Sequence, residues 1–405
     1  MTRLISELEL PHLAMEEESF AGDPYPHFDA ARARHPWLAT SKFGYVVTHY
    51  PVIRELFTSE QKLRGNYVEM VEMMGAMDTP WGDFQLGHIL NAQGEKHKRL
   101  RDMLAPAFTP RQANRRRQLM RDTMAELLDA WASKGAFDFE EFVSWFPIGV
   151  MCRMVGAPRE AIPDLRDSLE ALGLSVSMDL SVMEAMQQGA RQLEDWAIGL
   201  IAAREAVHQS GDDNDLLDLL VEVKARGGIS QDELTNLITF LMVAGYDTSK
   251  NIMTLMMYEM TRHPEIYRRC ADDVEYCARV VEESMRIHST SNLMRLVTDD
   301  IVHRDVLIPA GTTLFFPWGV ATRDPGAVED AESFLPERVN RNTHLGFGLG
   351  SHMCLGQFIA RAQMAEGLHL IAQRIKNPRS EGPQGWRPFV GVWGMRGLPI
   401  EFDPA

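Results

Sequence analysis

Cysteine is scarce in this chain: four residues in 405, at positions 152, 270, 277 and 354. No two of them stand at a CxxC interval, so neither a disulfide framework nor the usual zinc spacing is present. That usage fits a reducing, cytoplasmic setting. Long apolar runs are also missing. The purest, Leu237 to Tyr246, falls far short of the ~20 residues a bilayer-crossing helix needs. The stretch from Met1 to Leu8 lacks the apolar core of a signal peptide. A membrane protein is excluded on this reading. Basic residues are outnumbered, 41 Lys and Arg against 57 Asp and Glu, for a net charge of −16. A field of that sign disfavours nucleic acid and anionic membranes as partners.

What is there suits a large buried core. The hydrophobic fraction is 45% and the charged fraction 24%, with no repeat, low-complexity tract or Pro/Gly/Ser-rich linker. One domain over residues 1–405 is expected, with a short N-terminal arm to about residue 20, mainly α with a small β-rich part. Leu38 to Thr48, with Gly44 near its middle, reads as a hairpin. From about Thr109 to Arg286 the pattern is helical, broken at Gly135, Pro158, Gly211 and Pro264. Gly211 to Asp215 reads as a polar turn, Ile301 to Phe316 as a hairpin around Pro309-Ala310-Gly311, and residues 354–374 as helix. Twenty-four methionines are an excess, and those at 70, 73, 74 and 77 cluster. Thioethers there would suit an irregular apolar ligand, although core filling explains any single one.

One helix stands out. Ser230-Gln-Asp-Glu233 is a capping box, and the helix it opens should run to His263, where Pro264 stops it. At 1.5 Å per residue it would span roughly 50 Å. Its middle is apolar nearly all round until Asp247-Thr248-Ser249 interrupts it. A buried carboxylate and two hydroxyls are costly unless paired or used. From this segment alone, an internally satisfied cluster and a functional one are equal readings.

The segment Phe347-Gly348-Leu349-Gly350-Ser351-His352-Met353-Cys354-Leu355-Gly356 delivers a cysteine to the start of a helix through a glycine-punctuated loop. Backbone N–H groups and the helix dipole at such a position favour thiolate. Gly348 and Gly350 permit a tight turn, and Gly356 lets a flat ligand approach closely.

This segment, with Ala360 and Arg361, closely resembles the haem-binding loop of the cytochrome P450 monooxygenases of the soluble bacterial type. Other segments follow in that family's order. Glu283-Ser-Met-Arg286 resembles its Glu-x-x-Arg helix, with Arg338 as the third member of a structural triad. Asp247-Thr248 resembles its acid–alcohol pair. His97, Arg101, Arg295 and His352 match positions that hold the haem propionates, and His344 is a further candidate. The resemblance spans roughly residues 20 to 400. It implies the P450 fold, with haem b between the long central helix and the helix after the cysteine loop. Cys354 would be the iron ligand, alongside Phe347, Gly348 and Gly356 as haem contacts. Asp247 and Thr248 would deliver protons and activate O₂.

By the same resemblance the substrate pocket draws on Met73, Met77 and Trp81, the Leu172 to Met186 region, Phe240, Val243, Ala244, Leu293, Met294, Val392 and Trp393. These point to a hydrophobic small molecule such as a terpenoid, steroid or aromatic. No flavin or iron–sulfur segment is present, so electrons are expected from a separate protein, which the resemblance implies is a ferredoxin. Between Glu95 and Arg117 eight bases face two acids, a charge of +6 against −22 for the rest of the chain. On charge alone this is a solvated helix face; the resemblance places it beside Cys354, with ferredoxin docking near Arg115, Arg116 and Arg117. Three alternatives stand beside the monooxygenase: a haem sensor or storage protein, a peroxide-driven enzyme, and a zinc site from Cys270, Cys277 and His263 or His303. The first two sit poorly with an intact acid–alcohol pair, and the third fits no common ligand spacing.

Overall fold

Residue placement follows from one long helix. In the structure, a computed structural model describing residues 2–207, 215–339 and 344–404, it runs over Gln231–Arg262. Ser230 Oγ accepts from the Glu233 N–H, and the Ser230 N–H donates to Glu233 Oε2, both at 3.1 Å. His263 caps the other end, and Pro264 begins the next helix. Its flank from Leu234 to Met260 is buried almost throughout, as its apolar run requires.

Other helices also bear on the site. In chain order these are α1 (Pro80–Gly87), α2 (Gly94–Leu104), α3 (Arg117–Trp131), α4 (Phe139–Met154), α5 (Ile162–Gly173) and α6 (Met183–Val207). The central helix is α7; α8 (Val274–Ile287) and α9 (Gln357–Arg374) follow. The helices α4, α5 and α6 flank α7, while α8 lies against α9, which carries the cysteine loop at its start. Their apolar faces merge into the largest hydrophobic cluster of the molecule.

The β-rich part is small. A five-stranded sheet has the order β1-β2-β5-β4-β3, with β1 Leu38–Ser41, β2 Gly44–Val47, β3 Leu63–Gly65, β4 Leu293–Val297 and β5 Thr313–Phe316. The first hairpin pairs Leu38 with Val47 and Ser41 with Gly44, as its sequence suggests. Gly44 has φ +123°, and a Cβ there would lie 2.6 Å from the Thr313 carbonyl oxygen, so only glycine lets β2 meet β5. The second hairpin differs from expectation. Its turn is at Arg304 and Asp305, both at positive φ, between Ile301–His303 and Val306–Ile308. Thr313–Phe316, beyond Pro309-Ala310-Gly311, leaves for the larger sheet. Two left-handed residues in a two-residue loop match the right-handed strand twist, and without glycine in either place the turn gave no sequence signal.

The N-terminal arm is tied down: Arg3–Leu4 pairs in parallel with Val306–Leu307, and Ile5, Leu13, Met15 and Phe20 are buried. The helix expected from residue 354 begins at Gln357, and Ile375–Arg379 continues as a strand. Most of the turn expected at 211–215 lies outside the described residues. No described helix is long and apolar enough to cross a membrane.

Candidate functional site

The cysteine loop is held from within. Gly348 and Gly350 have φ near +74° and +73°. The Cys354 N–H donates to the Phe347 carbonyl at 2.8 Å, and the Gly348 N–H to that of Leu345 at 2.8 Å. Glu60 Oε2 accepts from the Ser351 N–H at 2.8 Å. A Cβ at Gly350 would collide with that same carboxylate. The loop thus presents Cys354 to a cavity of about 370 Å³, a volume typical of small-molecule sites. Burial raises the Cys354 thiol pKa, outweighing the Gly356 backbone hydrogen bond and the charges of Arg101 and Arg361. The helix start therefore does not by itself yield the thiolate its sequence position suggests; a bound cation such as iron would have to hold that form.

On one side of the cavity stand four basic side chains, His97, Arg101, Arg295 and His352. The His97 and His352 rings lie 3.9 Å apart, centroid to centroid. Arg101 Nη2 donates to the Met353 carbonyl at 2.6 Å, and Arg295 is buried in the middle of β4. Burial, then the charges of His97, Arg295 and Arg101, push His352 down to about 3. His97 is lowered by burial and Arg101, with Glu60 opposing. His352 Nδ1 has no hydrogen-bond partner. Such mutual repulsion in a buried wall, with one nearby carboxylate, fits a dianion that would bind there. Beside the loop, a Cβ on Gly356 would meet nothing within 4 Å, the open space a flat ring needs. These residues fit haem.

The middle of α7 forms another part of the wall. Val243, Ala244, Asp247 and Thr248 border the cavity. Thr248 Oγ1 donates to the Ala244 carbonyl at 3.0 Å. Asp247 is 2% exposed, and its Oδ1 lies 2.5 Å from Arg387 Nη1 and accepts from Asn251 Nδ2 at 3.1 Å. Its Oδ2 has no partner, nor has Arg387 Nη2. Helix α5 reaches this carboxylate because it ends in Gly173: a Cβ there would lie 2.5 Å from Asp247 Oδ1. Next on α7, buried Lys250 bridges Glu140 and Glu170 at 2.6 Å each, and Tyr246 donates to Glu170. Arg387 and Lys250 were missed at the sequence level. A buried Asp247 demands a cation, but nothing in the chain order pointed to residue 387.

The Glu283/Arg286/Arg338 group is brought together. Arg286 makes a two-pronged pair with Glu283 at 2.7 and 2.9 Å, and Arg338 approaches Glu283 Oε1 at 3.4 Å. Arg286 also donates to the carbonyls of Thr322, Ala331 and Ser333, so the triad ties α8 to the segment before the cysteine loop. His344, expected as a propionate candidate, instead pairs with Glu282 at 2.9 Å. Arg361 joins them and lies 4.2 Å from the Phe347 ring centre.

The pocket expectations divide. Phe240, Val243, Ala244, Leu293, Met294 and Val392 line the cavity. Met73 and Met77 do not: they are 70% and 43% exposed, on the outward side of their segment, and Met70 faces in instead. Trp81 is buried but turned to Ser175, whose Oγ accepts from its Nε1 at 3.1 Å. Trp393 stacks on Trp386 and donates to the Ala21 carbonyl, within the N-terminal cluster. Unanticipated polar groups also reach the cavity, among them Gln85, His88 and Asn292.

Arg115, Arg116 and Arg117 do not form one solvent-facing patch. Arg115 is exposed, Arg116 is partly buried and donates to Gln112 at 3.1 Å, and Arg117 is paired with Glu366 of α9 at 2.8 Å. Cys277 donates to the Cys270 carbonyl at 3.3 Å. Among the described residues no cluster of three or more His, Cys, Asp or Glu could hold a metal, so the zinc reading has no site.

The cytochrome P450 family model matches residues 174–377. Luteothin monooxygenase of Streptomyces thioluteus is 30% identical over 402 residues, covering 98% of this chain and 97% of that protein. Pentalenic acid synthase of Streptomyces avermitilis is 28% identical, covering 99% and 100%. Among solved structures, epothilone B-bound cytochrome P450epoK superposes with a TM-score of 0.87 at 18% identity, over 97% of this chain and 100% of the other.

Proposed function

The chain belongs to the cytochrome P450 family, and from that premise we propose that Cys354 holds haem b for insertion of one oxygen atom from O₂ into an apolar organic molecule. That it is a P450 monooxygenase follows from the family; which residues act, on what, and with which donor is our reading. The single observation carrying it is the juxtaposition of Cys354 with four basic side chains and the Asp247–Thr248 pair around one cavity.

Thiolate-ligated haem iron supplies the oxygen chemistry when bound, the thiolate favouring O–O cleavage. The chain's own residues do the rest. Cys354 Sγ would ligate the metal, and Phe347, Gly348 and Gly356 would border the ring. His97, Arg101, Arg295 and His352 would hold its carboxylates and lose their mutual repulsion in doing so. Asp247 Oδ2, which is buried and has no partner, would take up a proton and pass it to the Thr248 hydroxyl at the cavity wall. Arg387 holds that carboxylate in place through its Oδ1. Glu283, Arg286 and Arg338 would act structurally, as one P450-like domain over residues 1–405 requires.

The wall formed by Phe240, Val243, Ala244, Leu293, Met294 and Val392 supports a hydrophobic substrate of terpenoid, steroid or aromatic type. A separate ferredoxin would dock beside α9, where Arg111 and Arg115 are exposed. Four free cysteines support a cytoplasmic setting. The reading is tested by reducing the haem-loaded protein under CO. A strongly red-shifted band is expected, and Cys354→Ala should abolish it. A spectrum typical of histidine ligation, or one unchanged in the variant, would overturn the assignment.

A further inference from the structure

His88 sits just past α1, on the cavity wall, with 3% of its surface exposed. Three aromatic rings enclose it: Tyr67 at 4.6 Å and 87°, Phe84 at 5.7 Å and 81°, Phe240 at 4.9 Å and 46°. Its place is fixed by the residue before it. Gly87 presses on α7 so closely that a Cβ would lie 2.6 Å from the Asn236 amide nitrogen. A buried imidazole among apolar rings is costly unless both nitrogens are used. One is: Nε2 faces Gln85 Oε1 at 3.4 Å. An amide oxygen only accepts, so Nε2 carries the proton and Nδ1 keeps its lone pair. Nδ1 has no partner. Burial, partly opposed by a hydrogen bond to the residue's own backbone, lowers the ring's pKa to about 4, so the ring is neutral at neutral pH.

We propose that His88 is a polar subsite in the apolar cavity, accepting a hydrogen bond at Nδ1 from a hydroxyl or N–H of the substrate. Gln85 is the positioning residue that sets the tautomer. The proposal rests on the hydrophobic-substrate reading and narrows it to an apolar skeleton carrying a hydrogen-bond donor. A ligand that cannot donate leaves the lone pair buried and unpaired, which is the more discriminating half of the effect.

Naphthalene, 2-methoxynaphthalene and 2-naphthol provide one skeleton with no polar group, an acceptor alone, and a donor. Dissociation constants are measured by calorimetric titration into the haem-loaded protein. The naphthol is expected to bind about tenfold or more tighter than the methyl ether. In His88→Phe that ratio should fall to within about twofold, with His88→Leu as a second apolar variant should the first not take up haem. His88→Gln, which keeps an acceptor, should retain part of the preference. Equal affinity for naphthol and ether in the unmodified protein, or a preference undiminished in the apolar variants, overturns the subsite and leaves the hydrophobic reading intact. Failure of all three compounds to bind overturns that reading and the proposal with it.

Discussion

Asp247 Oδ1 and Arg387 Nη1 lie 2.5 Å apart with both side chains buried, fastening the middle of the central helix to a segment 140 residues later. The pair does two jobs. It neutralises a carboxylate inside the core, and it pins the loop carrying Gly391 and Val392 against the cavity. With Lys250 between Glu140 and Glu170 nearby, the acid at the cavity wall sits in a charged layer where each member depends on its neighbour.

Removing one side of that pair should cost more than removing both. Arg387→Leu leaves Asp247 buried and unpaired and is expected to lower stability by ~3–5 kcal/mol. Adding Asp247→Asn should recover a substantial part of the loss. Urea unfolding of the wild type, both single variants and the double variant closes the cycle; strict additivity would show that the two groups do not interact.

Thr248→Ala is expected to leave haem uptake and ligand affinity near wild type while diverting electrons. Product formed per reduced nicotinamide should fall several-fold, with peroxide rising in step. Asp247→Asn should instead slow turnover by roughly 10²-fold or more. Unaltered coupling in Thr248→Ala would leave the hydroxyl with no more than its hydrogen bond to Ala244.

Glu282 makes a pH-dependent contribution of definite sign. Burial pushes its carboxyl up, but hydrogen bonds from His344 and Arg361 prevail and hold it at about 2, against 4.5 for the free group. A depressed carboxylate stabilises the fold above 4.5, and that stabilisation fades as pH falls from 4.5 toward 2. The shift corresponds to ~3 kcal/mol at most. Glu282→Gln should therefore be destabilised at pH 7 by ~2–3 kcal/mol, and the gap from wild type should shrink on acidification. Unfolding curves from pH 7 downward measure it.

Electron delivery should respond to the exposed cations and not to the paired one. Charge reversal at Arg111 and Arg115 is expected to slow ferredoxin-dependent reduction about two- to tenfold at low ionic strength and to flatten its salt dependence. Dithionite reduction should be unchanged. Stopped-flow reduction across a salt series tests this, and an unaltered slope would move the docking site elsewhere. Arg117→Glu is unsuitable for the purpose, since it would face the buried Glu366.

Local signals in the sequence were read well where they were strong. The capping box at Ser230, the stop at Pro264 and the Gly44 hairpin all rest on nearest-neighbour chemistry, and each element lies where those residues put it. The loop around Cys354 was legible for the same reason. Side-chain direction was not. Met73 and Met70 share one short helix, yet one faces solvent and the other the cavity. Trp81 and Trp393 are apolar enough to line a pocket, but each has an indole N–H that must find an acceptor when buried, and Ser175 and Ala21 draw them away. Long-range pairing was beyond reach altogether. Arg387 and Asp247 meet only because the tail folds back over α7, and the Arg304-Asp305 turn carries none of the usual glycine or asparagine.

The order in which the site's residues occur along the chain has a consequence for how the protein is made. At ribosomal rates of about 5–20 residues per second, roughly 15–50 s pass between synthesis of His97 and of Cys354. During that time the nascent polypeptide can assemble part of the basic wall, but Cys354, the sulfur proposed to ligate iron, has not yet been made. Arg387, which pairs with Asp247 at the α7 wall, emerges later still. On the proposed role of Cys354, cofactor capture is confined to the last moments of translation or to the released chain. On the proposed assignment, a chain released before haem arrives would keep a Cys354 thiol raised in pKa by burial and a basic wall whose charges repel one another.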